Sequence, residues 1–96
     1  MSTYTPQPID TSRIEVPKDL LALAESLARN VHENWALERI NQGWNYGAER
    51  NDAQKLHPCL IPFDELPEDE KKFDYRTAME TIKVILARGY NISDKR

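Results

Sequence analysis

The segment from His32 to Phe63, HENWALERINQGWNYGAERNDAQKLHPCLIPF, constrains the fold of this 96-residue chain more than any other part of it. It contains both tryptophans, both histidines, the only cysteine and two of the three glycines. Helix propensity does not favour most of these residues, which are typical of turns, pockets and contacts. The segment therefore predicts the end of one helix, stopped by Gly43, followed by a long loop.

Helical spacing flanks this segment on both sides. From residue 19 to Gly43, apolar side chains recur every three or four positions, which predicts one long first helix. The stripe consists of Leu20, Leu23, Leu27, Val31 and Trp35. Asparagine disfavours a helix interior, so a kink near Asn30 is an alternative. A second helix is expected after Pro67, with an acidic first turn at the positive end of its dipole and an end at Gly89. Its apolar stripe consists of Tyr75, Met79, Ile82 and Leu86.

The predicted fold is mainly α, with two long, roughly antiparallel helices joined by a long packed loop that contains short helical turns. Within the loop, residues 43–47 and 59–61 are each short enough to be extended, and they predict a minimal two-stranded ribbon packed on the helices. Residues 1–16 lack periodicity and are rich in Ser, Thr and Pro, which predicts a flexible arm. Residues 17–96 are expected to form a single domain.

Composition narrows the classes of partner and compartment. The formal net charge is -3, so no overall field attracts a nucleic acid or an anionic membrane. No apolar run approaches the roughly twenty residues that a membrane span needs. A single cysteine agrees with a reducing compartment, and we expect a cytoplasmic protein without nucleic-acid or membrane partners and without a cofactor.

Aromatic and basic residues at the end of the first helix are candidates for ligand binding. Trp35 lies on the apolar stripe, where it either anchors the core or stacks with a ligand. Trp44 follows the helix-ending Gly43, a position where an indole often stays partly exposed, and stacking of a planar ring is worth about 1–3 kcal/mol. Arg39 lies one turn after Trp35, so it is a candidate cation–π partner or a contact for an anionic group.

A polar loop follows, and it has two interpretations. The forked guanidinium of Arg50 suits phosphate or carboxylate, and Tyr46 lies nearby in sequence. Asn51 and Asp52 favour local caps and turns, so the loop is alternatively a salt-bridged structural element. The chain has no glycine-rich phosphate-binding motif, and phosphate recognition would therefore depend on side chains.

His32, His57 and Cys59 raise the questions of metal binding and catalysis. Zinc sites usually need four ligands, and no CxxC or HxxxH pattern supports one here, so no metal is expected. We expect His32 to donate a hydrogen bond that ties the first helix to the loop, and Cys59 to be a small buried hydrophobe. A nucleophilic Cys59 would need activation by a nearby base, and the sequence has neither a nucleophile elbow nor paired carboxylates in a motif context. We therefore expect no enzymatic activity.

The order and spacing of these residues resemble the RyR domain, the repeat module of ryanodine receptors. The motifs are His32-Glu33-x-Trp35-Ala36, Gly43-Trp44-x-Tyr46-Gly47, Arg50-Asn51-Asp52, His57-Pro58-x-Leu60-Ile61-Pro62-Phe63, Leu66-Pro67 and Glu80-Thr81-Ile82-Lys83. The resemblance covers about residues 20–92 and implies a helical module with a small β element, as in free-standing bacterial-type copies. In the channels these modules occur as tandem pairs associated with binding an adenine nucleotide between aromatic residues. Ligand residues implied by this resemblance are Trp35, Trp44, Tyr46, Arg50 and His57.

Two functional hypotheses follow. The first is a non-catalytic module that binds a nucleotide-like ligand, with the candidate residues Trp35, Arg39, Trp44, Tyr46, Arg50, Asn51, Asp52 and His57. Because the chain holds one copy, a ligand site shared between two modules would require a homodimer. The alternative is a protein-interaction or self-assembly domain with no small ligand. Neither a channel nor a calcium-binding loop is expected, since the EF-hand pattern does not occur.

Overall fold

Two helices dominate the protein, which is described by a computed structural model covering residues 3–95. Helix α1 spans Leu21–Asn41 and helix α2 spans Glu68–Ala87, and each follows a short 3₁₀ turn, at Lys18–Leu20 and Phe63–Glu65. The predicted mainly helical fold is confirmed. Helix α1 is continuous through Asn30, so the alternative of a break there is wrong. Residues 1 and 2 of the predicted arm and residue 96 lie outside the described range.

Both helices end in the same type of left-handed cap. Gly43 has a φ of +94° and Gly89 a φ of +91°, a region that glycine adopts without steric cost. After Gly43, the backbone N–H of Trp44 donates to the carbonyl of Arg39 at 2.9 Å, and the equivalent bond after Gly89 is 3.2 Å. These are the long bonds of Schellman motifs, so both predicted helix ends are confirmed.

Small residues form the contact between the two helices. Leu20, the last residue of the 3₁₀ turn before α1, and Ala24 in the first turn of α1 share a buried cluster with Ile82 near the end of α2. Further along α1, Ala28 packs with Ala78, which lies earlier in α2. The helices are therefore antiparallel, as predicted. Alanine side chains at the contact let the helix axes approach closely, because axial separation depends on side-chain size.

The alanine contact changes which positions of α1 are buried. Residues 20, 24, 28 and 32 are buried, at four-residue spacing, although the predicted stripe was built from the larger Leu23, Leu27 and Val31. Leu23 and Leu27 pack at the edge of the core, and Val31 is 56% exposed. The sequence pattern favoured the largest apolar side chains, whereas close packing of the helices selects the smallest ones.

The β element is a pair of two-residue strands, β1 at Asn45–Tyr46 and β2 at Leu56–His57, which run parallel. The predicted ribbon therefore exists, but placing its second strand at residues 59–61 was wrong. Asn51 exchanges two backbone hydrogen bonds of 2.9 Å with Leu56 and folds the intervening loop back, so that residue 56 meets β1 first. Gly47 permits this approach, since a Cβ there would lie 2.6 Å from the Cβ of Leu56.

Part of the N-terminal segment contacts the helices. Thr11 is buried, and its hydroxyl donates to Oε1 of Glu80 at 2.8 Å. Val16 packs against the core, while residues 3–10 are exposed. The division of the chain into an arm of residues 1–16 and a domain of residues 17–96 stays a prediction. Among residues 3–95, no helix is both long and apolar enough to cross a membrane.

Two isoleucines one turn apart in α2 test this core. Ile82 is 0% exposed and Ile85 is 36% exposed. We expect Ile82→Ala to lower the free energy of unfolding by about 2–5 kcal/mol, the usual range for truncating a buried isoleucine. Ile85→Ala makes the same chemical change at the margin and should cost clearly less. Urea unfolding measures both, and equal losses would contradict this description of the core.

Candidate ligand-binding site

The cap of α1 determines where Trp44 lies. Its backbone bond to Arg39 turns the chain back over the last helical turn. The guanidinium carbon of Arg39 then lies 5.0 Å from the centre of the Trp44 ring and 6.0 Å from that of Trp35. One arginine thus contacts both indoles, within the range of cation–π attraction. Trp44 is only 8% exposed, so the expectation of a partly exposed indole after Gly43 was wrong.

Five rings form a continuous cluster between α1 and the loop. The His57 ring meets Trp35 edge-on at 4.9 Å between centroids and lies 6.2 Å from Trp44. On α1, the His32 ring stacks with Trp35 at 5.7 Å, and it also meets the edge of Phe63 at 6.0 Å. Such ring pairs add about 0.5–1.5 kcal/mol beyond the area they bury. The cluster therefore fixes the position of β2 against α1.

The ring of His57 is held through one nitrogen. Its Nδ1 accepts a hydrogen bond of 3.0 Å from the backbone N–H of Cys59, so the neutral ring carries its proton on Nε2. Burial lowers the pKa of His57, and the positive charges of Arg50 and Arg39 act in the same direction. The ring is therefore neutral at pH 7. Its Nε2–H donates to no acceptor within residues 3–95.

The ring of His32 is held in a complementary way. Its Nε2 lies 2.7 Å from the carbonyl oxygen of Ile61 and must donate, because a carbonyl only accepts. This bond ties α1 to the loop, as predicted for His32. Its Nδ1 has no partner within residues 3–95, although the residue is 5% exposed. No buried side-chain nitrogen or oxygen in this range lacks a partner, so Nδ1 keeps contact with solvent.

A pocket of about 250 Å³ opens beside these rings. It lies where the C-terminal half of α1, the end of β2 and the first turns of α2 meet. Its lining residues are His32, Trp35, His57, Cys59, Leu66, Glu70 and Asp74. Glu70 and Asp74 are four residues apart in α2 and therefore lie on the same face of that helix. The pocket thus combines an indole, two imidazoles and two carboxyl groups.

Two groups in the pocket are shifted toward their neutral forms. Burial raises the pKa of Asp74 above its ordinary 3.8; the neighbouring His32 acts against this rise and Glu70 adds to it. Burial also raises the pKa of the Cys59 thiol, with Glu70 and Asp74 contributing in the same direction. A thiol with a raised pKa is a poor nucleophile and a poor metal ligand at neutral pH. No group of three or more His, Cys, Asp or Glu side chains within residues 3–95 is arranged to hold a metal ion.

The polar loop after β1 lies outside the ring cluster. Tyr46 is 58% exposed and makes no ring contact with the other aromatic residues of the described range. Arg50 donates from Nε to Asp52 at 2.8 Å on the surface, which agrees with the salt-bridged interpretation of this loop. Asn51 turns the chain, since its Oδ1 accepts from the backbone N–H of Gln54 at 3.0 Å. Of the eight candidates, the structure brings together Trp35, Arg39, Trp44 and His57.

Sequence reasoning missed the acidic wall of the pocket. Glu70 was assigned only to the charged start of α2, and Asp74 was not singled out. Both follow the helix start at four-residue spacing, on the face next to Leu66, which is itself buried. The spacing shows from the sequence alone that these side chains share one face of the helix, but nothing in the sequence indicated that this face meets the two histidines.

A second depression lies on the other side of Phe63. It measures about 300 Å³ and is lined by Glu25, Ala28, Arg29, Phe63, Asp64, Lys71, Lys72 and Tyr75. Arg29 donates to Asp64 at 2.7 Å and to Glu25 at 3.0 Å. The charge of Arg29 is therefore neutralised within the protein, while Lys71 and Lys72 also line this depression.

The fold is a small helical module in which two antiparallel helices and a ring-filled connection form one body. A family model of the RyR domain matches residues 4–94, nearly the whole chain. The chain belongs to the RyR domain family.

Asp74→Asn tests whether the partly buried carboxylate of Asp74 lowers the stability of the folded protein at neutral pH. Because the pKa of Asp74 is raised in the folded state, ionisation opposes folding at pH values above the raised pKa, and the penalty vanishes below the ordinary 3.8. Asp74→Asn should therefore be more stable than the wild type near pH 7, by a margin that shrinks as the pH falls toward about 4. Urea unfolding across this range measures the margin.

Asp64→Asn is the control of opposite sign. The hydrogen bond from Arg29 lowers the pKa of Asp64, so its ionised form stabilises the fold at neutral pH and loses that effect on acidification. The loss in Asp64→Asn should be small, because the side chain is 73% exposed. An Asp74→Asn protein that is less stable than the wild type at neutral pH would contradict the conclusion that ionised Asp74 opposes folding.

Proposed function

We propose that this RyR domain is a non-catalytic binding module for a nucleotide-like small ligand, whose planar ring enters the pocket beside Trp35 and His57. One observation carries the proposal: the pocket lies against the ring cluster, and its lining includes two histidines that each have one ring nitrogen without a partner within residues 3–95. Sites of this kind, apolar with a few convergent polar groups, are the usual form of small-molecule pockets. The raised pKa of Asp74 in the same pocket supports it further.

The charges around His57 suit a ligand with two different ends. Glu70 and Asp74 lie on the pocket side, whereas the guanidinium groups of Arg39 and Arg50 are near enough to lower the pKa of His57, after burial itself. Arg39 has no ion pair within residues 3–95, so its N–H groups can receive an anion. We propose that a nucleotide-like molecule binds with its ring in the pocket and its anionic group toward Arg39, which contacts Trp35 but does not itself line the pocket.

Two features support a module that binds a ligand without catalysing a reaction. His57 directs Nδ1 to the backbone N–H of Cys59 and not to the thiol, so the pair is not arranged as nucleophile and base. The raised pKa of Cys59 further disfavours the thiolate. On the single cysteine and the net charge of -3, we propose a cytoplasmic protein whose partners are neither nucleic acid nor membrane.

A second candidate function rests on exposed apolar residues of α1. Val31, Leu37 and Ile40 are 56%, 57% and 57% exposed. Leu37 and Ile40 are three residues apart and share one outer face of the helix. Such side chains favour an interaction or self-assembly domain, including a homodimer that reproduces the tandem pair of the channels.

A thermal-shift panel of nucleotides, nucleosides and cyclic nucleotides tests the first function. A ligand at about a hundred times its Kd adds about 2.7 kcal/mol of stability, which in a domain of this size raises the unfolding midpoint by more than about 5 °C. Trp35→Leu should weaken binding of the active ligand by about tenfold or more, because it removes a stacking surface. Tyr46→Leu, an aromatic change outside the pocket, should leave it unchanged.

The unfolding midpoint of each free variant reports its fold separately from its binding. Trp44 is unsuitable for this test, because its burial makes any substitution a change to the core. A flat panel together with a dimer in sedimentation analysis would reject the ligand function in favour of self-assembly. Equal weakening by Trp35→Leu and Tyr46→Leu would reject the proposed location.

A further inference from the structure

The turn after β2 is closed by the side chain of its first residue. This turn consists of His57, Pro58, Cys59 and Leu60, and its backbone bond, from the Leu60 N–H to the His57 carbonyl, is 3.4 Å long. The bond from the Cys59 N–H to Nδ1 of His57 measures 3.0 Å and joins a side chain to the backbone two residues on, as an Asx turn does. A 3.4 Å bond lies beyond the usual N–H···O range, so the turn depends mainly on the imidazole.

Only the neutral ring of His57 can make this bond. Its Nδ1 accepts through a lone pair, whereas a protonated imidazole carries hydrogen on both nitrogens and accepts on neither. Protonation sets two N–H donors against each other, and rotation of the ring leaves the Cys59 N–H without its acceptor. The bond of His32 responds differently, because its Nε2–H donates to the Ile61 carbonyl in either charge state. Of the two histidines, therefore, only His57 loses its backbone bond when it gains a proton.

Charged and titratable groups from three parts of the fold surround the His57 ring. They are His32 and Arg39 on α1, Arg50 and Asp52 between the strands, and Glu70 and Asp74 on α2. Burial lowers the pKa of His57 most, and Arg50 and Arg39 lower it further. Glu70 and Asp52 act in the opposite direction without outweighing these effects, so the pKa of His57 lies below its ordinary 6.5. The ring is neutral at pH 7 and gains its proton as the solution becomes acidic.

The turn forms part of the pocket wall. Cys59 lines the pocket of about 250 Å³ and, together with Ile61, packs against the buried cluster that contains Phe63. Beyond the turn, the Ile61 carbonyl is tied to α1 through His32. Loss of the Nδ1 bond of His57 therefore frees the turn at one end while the other end stays anchored. The resulting movement is local and lies at the pocket.

We propose that His57 is a pH-sensitive latch, in which protonation of the ring breaks its bond to the Cys59 N–H and releases the turn after β2, so that the pocket wall opens on acidification. The latch acts whether or not a ligand occupies the pocket. Stability follows the same direction. Because the folded-state pKa of His57 lies below 6.5, the stabilisation by the neutral ring is complete above pH 6.5 and is lost as the pH falls through the folded-state pKa.

Amide hydrogen exchange and ring NMR of the full chain, from about pH 7.5 to about pH 4.5, test the latch. The protection factor of the Cys59 N–H, which corrects for the pH dependence of free exchange, should fall by about tenfold as the His57 ring titrates, which corresponds to the loss of one hydrogen bond. The nearby Leu56 N–H donates to the Asn51 carbonyl at 2.9 Å and should keep its protection. Comparison of the two amides separates opening of the turn from general unfolding.

His57→Asn is the matched variant, because an asparagine side chain accepts from the backbone N–H two residues on and does not titrate. It should keep the Cys59 N–H protected throughout the pH range. Loss of the ring contacts with Trp35 and Trp44 lowers the stability of this variant at every pH, so its pH dependence, and not its absolute stability, is compared with the wild type. Asp74 is present in both proteins, and its titration therefore cancels from the comparison.

The wild type and the variant together give a clear decision. Protection of the Cys59 N–H that falls with the titration of His57 in the wild type, and stays constant in His57→Asn, would support the latch. A His57 ring that titrates while the Cys59 N–H stays protected would overturn the coupling, and a ring that stays neutral down to about pH 4.5 would overturn the switch itself. An equal fall of protection in His57→Asn would overturn the role of His57. No ligand enters these measurements, so failure of the latch leaves the proposed binding function standing.

Discussion

One part-buried hydrogen bond, from Nε2 of His32 to the Ile61 carbonyl at 2.7 Å, joins the connection to the first helix. Around it, the ring of His32 contacts both Trp35 and Phe63, so the bond is shielded from water on two sides. Breaking this hydrogen bond costs free energy, because the part-buried carbonyl would lose its donor. The pocket exists because this bond holds the loop at a fixed distance from α1, while the alanine contact holds α2 close to both.

The two histidines perform the same task with different partners. Each uses one ring nitrogen to fix the backbone of the connection, His32 as a donor to Ile61 and His57 as an acceptor from Cys59. Each then has a second nitrogen that no residue of the described range occupies. Each histidine thus fixes the backbone through one nitrogen and keeps the other without a partner, and both residues line the same pocket. Fixed polar groups of this kind reduce the ordering cost of binding a small ligand. The same arrangement accounts for a cysteine that is beside a histidine in sequence yet is not activated by it.

Local signals in the sequence were sufficient to predict the helix ends and the hydrogen bond of His32, but not to predict which residues form the pocket. Glycine ended both helices as predicted, because its left-handed cap is a property of one residue and its neighbours. The tie from His32 was also predicted, since a histidine within a helix needs a partner. By contrast, the burial of Trp44, the position of β2 and the acidic wall at Asp74 depend on how distant segments meet. The exposed Val31 shows the same limit, because apolar size alone does not reveal which helix face the partner helix selects.

Nitrogen-15 NMR of the histidine rings, at a pH where both are neutral, tests the central claim most directly. Long-range ring correlations identify which nitrogen carries the proton. We expect both rings to carry it on Nε2, with slow solvent exchange for His32, whose Nε2–H is buried against Ile61, and faster exchange for His57. A His32 ring protonated on Nδ1 instead, or one whose Nε2–H exchanges as quickly as that of His57, would contradict the tie on which the pocket depends.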